Sequence, residues 1–255
     1  MSAENATALV LRVVEFSETS CVVTLFTREF GRIGALAKGA RRAKAPFDSA
    51  LDLLTLCRVL FLRKSSGGLD LLTEARLERR FRPPAGEVAR LYAGYYVAEL
   101  LLSLTDDYDP HPELFDLADR TLQELSGTRL SVQSIVLRFE LLALRELGHL
   151  PSLAQCVECG TRVEAKGRVA FGQLSGGVLC NRCRAGKRQV VSLSAAALAG
   201  LATFADEPSA TWETDPLPPG ARGEIRGVIN HYVSNLLGHR PRMHPYLGFL
   251  AQESQ

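Results

Sequence analysis

Apolar and polar positions alternate in short runs through the first eighty residues, and beyond them the apolar positions recur at three- and four-residue intervals. The runs Ala8 to Phe16, Cys21 to Thr27, Arg32 to Lys38, Leu53 to Arg63 and Leu69 to Leu77 are rich in Val, Leu, Ile, Phe and Thr. Such side chains fit a pleated, half-buried surface, so five β-strands are predicted. Gly31, after Thr27-Arg28-Glu29-Phe30, marks a hairpin corner, and Ser65-Ser66-Gly67-Gly68 a polar loop between the last two runs. Five short strands in about eighty residues suit a small, partly open barrel of the OB type.

Arg82-Pro83-Pro84-Ala85-Gly86 ends the strand period, and a helical one replaces it. Leu91, Tyr95, Ala98 and Leu102 form one stripe of a helix that begins near Pro84 and ends before Asp106. Leu114, Leu117, Ala118, Thr121, Leu122 and Leu125 mark a second, stopped by Gly127. A third runs from about Ser131 to Leu147, with Gly148 as its cap and Leu137, Leu141 and Leu144 widening its apolar surface into that of a central helix. After an interruption the helical period resumes from Ser194 to Phe204 and from Pro219 to Leu237. The expected fold is therefore α+β and multidomain: an OB barrel over residues 1–82, then a helical domain over residues 83–255 with an insertion at about 150–190.

That insertion holds four of the six cysteines, as Cys156-x-x-Cys159 and Cys180-x-x-Cys183. Two knuckles of this spacing supply the four soft ligands of a tetrahedral Zn²⁺, and Gly160 lets backbone N–H groups turn toward the sulfurs. Four cysteines complete the coordination sphere, so the zinc is expected to be structural. His111-Pro112-Glu113 followed by a C-x-x-C superficially matches a zinc deaminase pattern, but Gln155 and Leu179 stand where that pattern requires Pro. The same residues also read as a turn entering a helix with an acid in its first turn. Cys21 and Cys57 lie alone inside apolar runs, an arrangement that fits a reducing compartment. With 46% hydrophobic residues over 255, no apolar run long enough for a membrane span and no signal pattern, a cytoplasmic globular protein is expected.

The formal net charge of +2 hides an uneven distribution: residues 1–83 carry +5, residues 84–155 carry −6, residues 156–188 carry +5 and residues 189–255 carry −2. The sharpest basic feature is Lys38-Gly39-Ala40-Arg41-Arg42-Ala43-Lys44, which contains no acid. Four cations on a loop leaving a barrel strand can contact successive phosphates, and Gly39 permits close backbone approach, so nucleic acid is the expected partner. Arg12, Arg28 and Arg32 extend the patch if they share its face. Phe26, Phe30, Phe47 and Phe61 each lie in an apolar context that suits the core better than base stacking; of the four, Phe47, just after Pro46 and the basic loop, is the best stacking candidate. Arg162, Lys166, Arg168, Arg182, Arg184, Lys187 and Arg188 surround the cysteines, where they either balance the thiolate charge or touch a ligand. No phosphate-binding G-x-x-x-x-G-K-[ST] loop and no G-x-S-x-G nucleophile elbow is present.

Thr24-Leu25-Phe26-Thr27-Arg28-Glu29-Phe30-Gly31-Arg32, followed by Ala37-Lys38-Gly39-Ala40-Arg41-Arg42, closely resembles the N-terminal signature of the bacterial RecO recombination mediator family. Gly148-His149-Leu150-Pro151 before the first cysteine pair and Gly176-Gly177-Val178-Leu179-Cys180 extend the similarity along the chain. The resemblance implies an OB fold that binds single- and double-stranded DNA through Lys38, Arg41, Arg42 and Lys44, with Arg32 as a neighbour. It implies a non-enzymatic role in DNA repair: annealing strands, remodelling single-strand-binding protein and helping load RecA together with RecR, in the cytoplasm at the nucleoid. The helical domain would receive the acidic C-terminal tail of single-strand-binding protein, which needs a basic residue beside an apolar groove. At the C-terminus, Arg240 and Arg242 keep the basic charge of family members, while Pro241 and Pro245 are expected to impose an extended backbone. Two other classes remain open, a zinc-dependent nucleic-acid-modifying enzyme using Glu113 and a docking scaffold whose acidic helices are the main surface.

Overall fold

The computed structural model describes residues 2–42, 46–47, 50–64, 67–127, 129–206, 211–214 and 217–250. Strands β1 (Ser2–Glu15), β2 (Cys21–Thr27), β3 (Gly31–Ala37), β4 (Leu56–Arg63) and β5 (Asp70–Arg79) close into a barrel in the order β1-β2-β3-β5-β4. Each predicted strand is present. β1 starts at Ser2, well before the expected Ala8, because its first half (Ser2 to Leu9) pairs with β4 and its second (Ala8 to Glu15) with β2. One strand long enough to serve two neighbours is what closes the sheet.

β4 begins at Leu56, three residues after the predicted Leu53. A register shift in β1 between Val10 and Arg12 draws the chain in, with Leu54 N–H donating to the Val10 carbonyl at 2.7 Å and Val10 N–H to Thr55 at 3.0 Å. Leu54 adopts φ 61°, which excludes it from the strand. β3 and β5 pair in parallel, Ala35 opposite Asp70, so the connection from β3 to β4 must cross β5; the Pro46 carbonyl accepts from Ala75 N–H at 3.0 Å on the way. Alternation decides what enters the core: Ile33, Ala35 and Ala37 of β3 point inward to meet Val23, Leu25, Phe61 and Leu72. Cys21 and Cys57 are core residues here, and burial pushes the Cys57 thiol up to about 12.

Helices α1 (Val88–Leu104) and α2 (Pro112–Gly127) pack with the barrel in one compact unit, Met1–Arg129. α1 starts four residues after Pro84 because Gly86, at φ +87°, holds a turn open before Val88. Arg28 forms a two-pronged ion pair with Asp116 (2.9 and 3.0 Å), and Phe26 meets Phe115 with ring centroids 5.9 Å apart. The α1–α2 loop covers the start of β3. Tyr108 N–H donates to the Arg32 carbonyl at 2.9 Å, its hydroxyl bonds Asp70, and the Arg63 guanidinium lies 4.2 Å from its ring centre. Gly31 has φ +69°, and a Cβ there would overlap the Asp109 carbonyl, so this corner has two reasons to be glycine.

The second compact unit spans Leu130–Gln255. Its central α3 (Val132–Glu146) is capped at the start by the Ser131 hydroxyl. At its end Gly148 N–H donates to Arg145 (2.9 Å) and His149 N–H to Leu144 (2.6 Å), with Gly148 at φ +72°, a Schellman ending. Three short strands that the periodicity did not announce follow: β6 (Arg168–Gly172), β7 (Gly177–Leu179) and β8 (Val190–Ser194), in the order β7-β6-β8. Ser194 then caps α4 (Ala195–Ala205), and α5 (Thr211–Thr214) and α6 (Pro219–Leu237) complete the helices. α6 is joined to α3 by the buried pair Arg226–Glu140, at 2.7 and 2.8 Å. The backbone after α6 departs from expectation. His244–Leu250 forms a 3₁₀ helix containing Pro245, because the fixed φ of proline suits the start of a helical turn as well as an extended chain.

Candidate nucleic-acid interface and four-cysteine cluster

β3 delivers the basic segment to one end of the barrel. Lys38, Arg41 and Arg42 are all exposed, on a turn closed by Arg42 N–H donating to the Gly39 carbonyl at 3.0 Å with Gly39 at φ +71°. The turn is tied to the β1–β2 connection: Gly39 N–H donates to the Ser20 hydroxyl at 3.2 Å and Arg41 N–H to the Thr19 carbonyl at 3.1 Å. The cations thus sit on a braced rim. One acid reaches it, Glu15, whose carboxylate lies 2.9 Å from the Arg41 guanidinium with both side chains largely in solvent. Lys44 lies outside the described residues.

Arg32 has other work. Its guanidinium meets Asp107 at 2.7 Å and the Leu102 carbonyl at 2.5 Å, at the opposite end of β3 from Lys38. Arg28 is likewise held by Asp116, and this partner raises its pKa further. Neither joins the rim of Lys38, Arg41 and Arg42. Phe47 is a correction of another kind: it is 3% exposed and belongs to the barrel core with Phe61 and Ala75, so it offers no face to a base. The β3–β4 connection drives it inward because a barrel end crossed by a loop has to be filled.

Two further cations lie outside the basic runs of the sequence. Arg58 and Arg76 stand directly opposite each other on β4 and β5, beside a cleft also lined by Asn5, Pro46 and Glu74. Like charges so placed repel; Glu78 pairs with Arg58 at 2.9 Å, and Arg76 forms no ion pair among the described residues. Their signal was outward parity in the predicted strands.

In the second unit the four Sγ atoms of Cys156, Cys159, Cys180 and Cys183 all lie within 4.8 Å of one another. Cys159 and Cys180 are 3.8 Å apart, the edge of a tetrahedron whose Zn–S bonds are about 2.3 Å long. The first knuckle is closed by Gly160 N–H donating to the Cys156 carbonyl at 2.8 Å with Gly160 at φ +71°, and the second by Cys183 and Arg184 N–H donating to Cys180, both at 3.1 Å. Thr161, through side chain and backbone, holds the Cys159 thiol down at about 6, whereas hydrogen bonds with Cys159 and Cys180 push Cys183 up to about 12. Crowded sulfurs cannot all ionise without a cation among them, so this donor set suits a thiophilic metal ion. The donors form a closed set of four, with no position for a substrate.

Of the seven cations around the cluster, Lys187 pairs with Glu158 at 2.6 Å, Lys166 with Glu164 at 2.8 Å and Arg168 with Glu224 at 2.5 Å. Arg182 has its pKa raised by a hydrogen bond to Cys159. Arg162, Arg184 and Arg188 are exposed and form no ion pair among the described residues. His111 and Glu113 belong to the start of α2: His111 Nε2 contacts Asp109 at 3.0 Å and its carbonyl accepts from Phe115 N–H. Between α3 and α6 a groove is lined by Leu137, Leu217 and Ile225 with Arg222 and Arg226. Among the described residues no helix is long and apolar enough to cross a membrane.

Comparison with known proteins accounts for both halves. Residues 1–81 match the family model described as Recombination protein O N terminal, and residues 86–244 that described as Recombination protein O C terminal. The chain is 40% identical to the DNA repair protein RecO of Rhodopirellula baltica, over 94% of this chain and 97% of that protein. It is 35% identical to that of Anaeromyxobacter dehalogenans strain 2CP-1, over 94% of each, and 30% identical to that of Bacillus pumilus, over 90% and 88%. The chain belongs to the RecO family of DNA repair proteins.

Proposed function

We propose that the chain is a non-enzymatic recombination mediator that binds single- and double-stranded DNA, anneals strands and helps load RecA onto DNA covered by single-strand-binding protein, acting with RecR in the cytoplasm at the nucleoid. The observation that carries this reading is the braced rim of Lys38, Arg41 and Arg42 at one end of an OB barrel. A fixed set of exposed cations takes the phosphate backbone with little ordering cost, and Lys44 follows in the same run. Arg58 and Arg76, whose mutual repulsion an anion would relieve, extend the track.

The four cysteines hold a structural Zn²⁺ in this reading, supplying only the cross-link that clips the two knuckles together. The closed donor set and the placing of Glu113 in the first turn of α2 speak against a zinc-dependent enzyme. The α3–α6 groove suits the acidic tail of single-strand-binding protein. Its apolar walls take side chains, and the Arg226 Nε, buried without a hydrogen-bond partner, is a donor for a carboxylate.

The test is DNA affinity against salt for the parent and for the triple variant Lys38→Ala, Arg41→Ala, Arg42→Ala. Affinity should fall, with the log–log salt slope flattening by about one unit per lost phosphate contact. Equal slopes and affinities would remove the rim from the site.

A further inference from the structure

Phe16 is 64% exposed, while Phe26, Phe47 and Phe61 are buried in the same unit. Among the residues whose burial is described it is the one phenylalanine with most of its side chain in solvent. Its place is not arbitrary. Phe16 opens the β1–β2 turn, donating its N–H to the Ser20 carbonyl at 3.0 Å, with Ser17 N–H on the same oxygen at 3.1 Å. Thr19 and Ser20 of that turn accept from Arg41 and Gly39 of the basic loop. Glu15, one residue before the ring, reaches the Arg41 guanidinium. An exposed ring and three exposed cations are therefore carried on two turns joined by hydrogen bonds.

The two kinds of group ask different things of a ligand. Cations recognise phosphates whether or not the strand is paired. A ring face is rewarded only by a base free to leave its own stack, and any base will serve because each has a π-face. The β1–β2 connection is also one of the loops with which OB barrels grip oligonucleotides.

We propose that Phe16 is a stacking platform for an unpaired base of the strand whose phosphates Lys38, Arg41 and Arg42 hold, so that this rim distinguishes single-stranded from duplex DNA. The proposal rests on the DNA-binding reading above and adds the discriminating residue to it.

The experiment compares the full-length parent, Phe16→Ala, Phe16→Trp and the double variant Arg41→Ala, Arg42→Ala. Three ligands of equal length are titrated by fluorescence anisotropy at several salt concentrations: an oligothymidylate, an abasic strand and a duplex. Phe16→Ala should weaken oligothymidylate binding roughly five- to hundredfold. Its binding to the abasic strand and the duplex should change less than about twofold, with the salt slope unaltered. Phe16→Trp should restore or exceed parental affinity for the base-bearing strand alone. The double arginine variant should weaken all three ligands and flatten every slope. Equal losses on abasic and base-bearing strands, or no loss on either, would overturn the platform and leave the rim standing. A double variant with parental slopes would overturn the rim itself, and a parent that binds none of the three would overturn both.

Discussion

Replacing Glu140 by Gln would leave a guanidinium charged in the interior of the second unit. The Arg226 and Glu140 side chains are 7% and 1% exposed, and both Glu140 oxygens lie within 2.8 Å of the same Arg226 nitrogen. Arginine cannot escape by losing its proton, and Gln keeps the volume, so the cost is that of an unpaired buried charge, about 3–5 kcal/mol. Arg226→Met is the milder half of the test, because an orphaned carboxylate can take up a proton as the pH falls. Glu140→Leu with Arg226→Met removes both charges and should return close to parental stability. The single tryptophan of the chain, Trp212, provides the probe: it lies in this unit, 6.0 Å from the Phe204 ring and 5.4 Å from the Arg138 guanidinium. In urea, with a slope of about 2 kcal/mol per molar, Glu140→Gln should bring the fluorescence midpoint down by on the order of 2 M. A midpoint within a few tenths molar of the parent, or a double variant no better than the worse single one, would refute the reasoning.

Three further outcomes follow from the same coordinates. Cys180→Ser should lose bound zinc and lower the melting temperature of the second unit, with DNA affinity declining mainly as a consequence; metal analysis with a thermal melt checks it, and a zinc-free variant with a parental melt would contradict it. Burial, with Arg226 and Arg240 nearby, holds the His244 imidazole down at about 4. The unfolded chain accepts that proton near its ordinary value, so His244 makes stability fall as the pH drops from about 6.5 toward 4; replacing His244 with Gln should flatten the urea midpoint over that window, and an unchanged profile would exclude the cause. Glu15→Gln should raise DNA affinity a few-fold at low salt, since Glu15 competes with phosphate for Arg41; an anisotropy titration showing weaker binding would reverse the assignment.

The elements legible in the sequence were those whose signal is local. The strands from Cys21 to Ala37 show a period of two because one face fills the barrel, and the cysteine pairs announce themselves by spacing. Ser2 to Thr7 is polar, and its strand exists because β4 offers it an edge, which no local pattern records. β6 to β8 are three to five residues each, too short for a period, in a segment where the cysteines and glycines dominate the composition. Phe47, beside Pro46 and after a run of cations, carries both a core and a stacking signal, and the closed barrel supplies the neighbours that decide for the core. Arg32 is held at the other end of β3 by Asp107, a partner 75 positions away that no local pattern records.

The partners of Arg28 and Arg32 also explain why net charge was a poor guide to this barrel. β3 begins at Gly31 against the α1–α2 loop and ends at Ala37, where the cation run starts. Beside the first end Asp107 and Asp116 of the acidic segment neutralise Arg32 and Arg28, and Asp119 of the same segment pairs with Arg79 at the end of β5. At the other, the one ion pair that Lys38, Arg41 and Arg42 form among the described residues is Arg41 with Glu15. The opposing block charges in the sequence thus cancel in part through pairs on the β2–β3 turn, the start of β3 and the end of β5, and the cation run after β3 takes no part in that cancellation. The first end therefore carries helices, acids and paired arginines, and the second an exposed turn on which Arg41 alone has an acidic partner among the described residues. Local pairing, more than the count of lysines and arginines, decides where exposed positive charge remains on this barrel, and the proposed DNA site follows that charge to one rim.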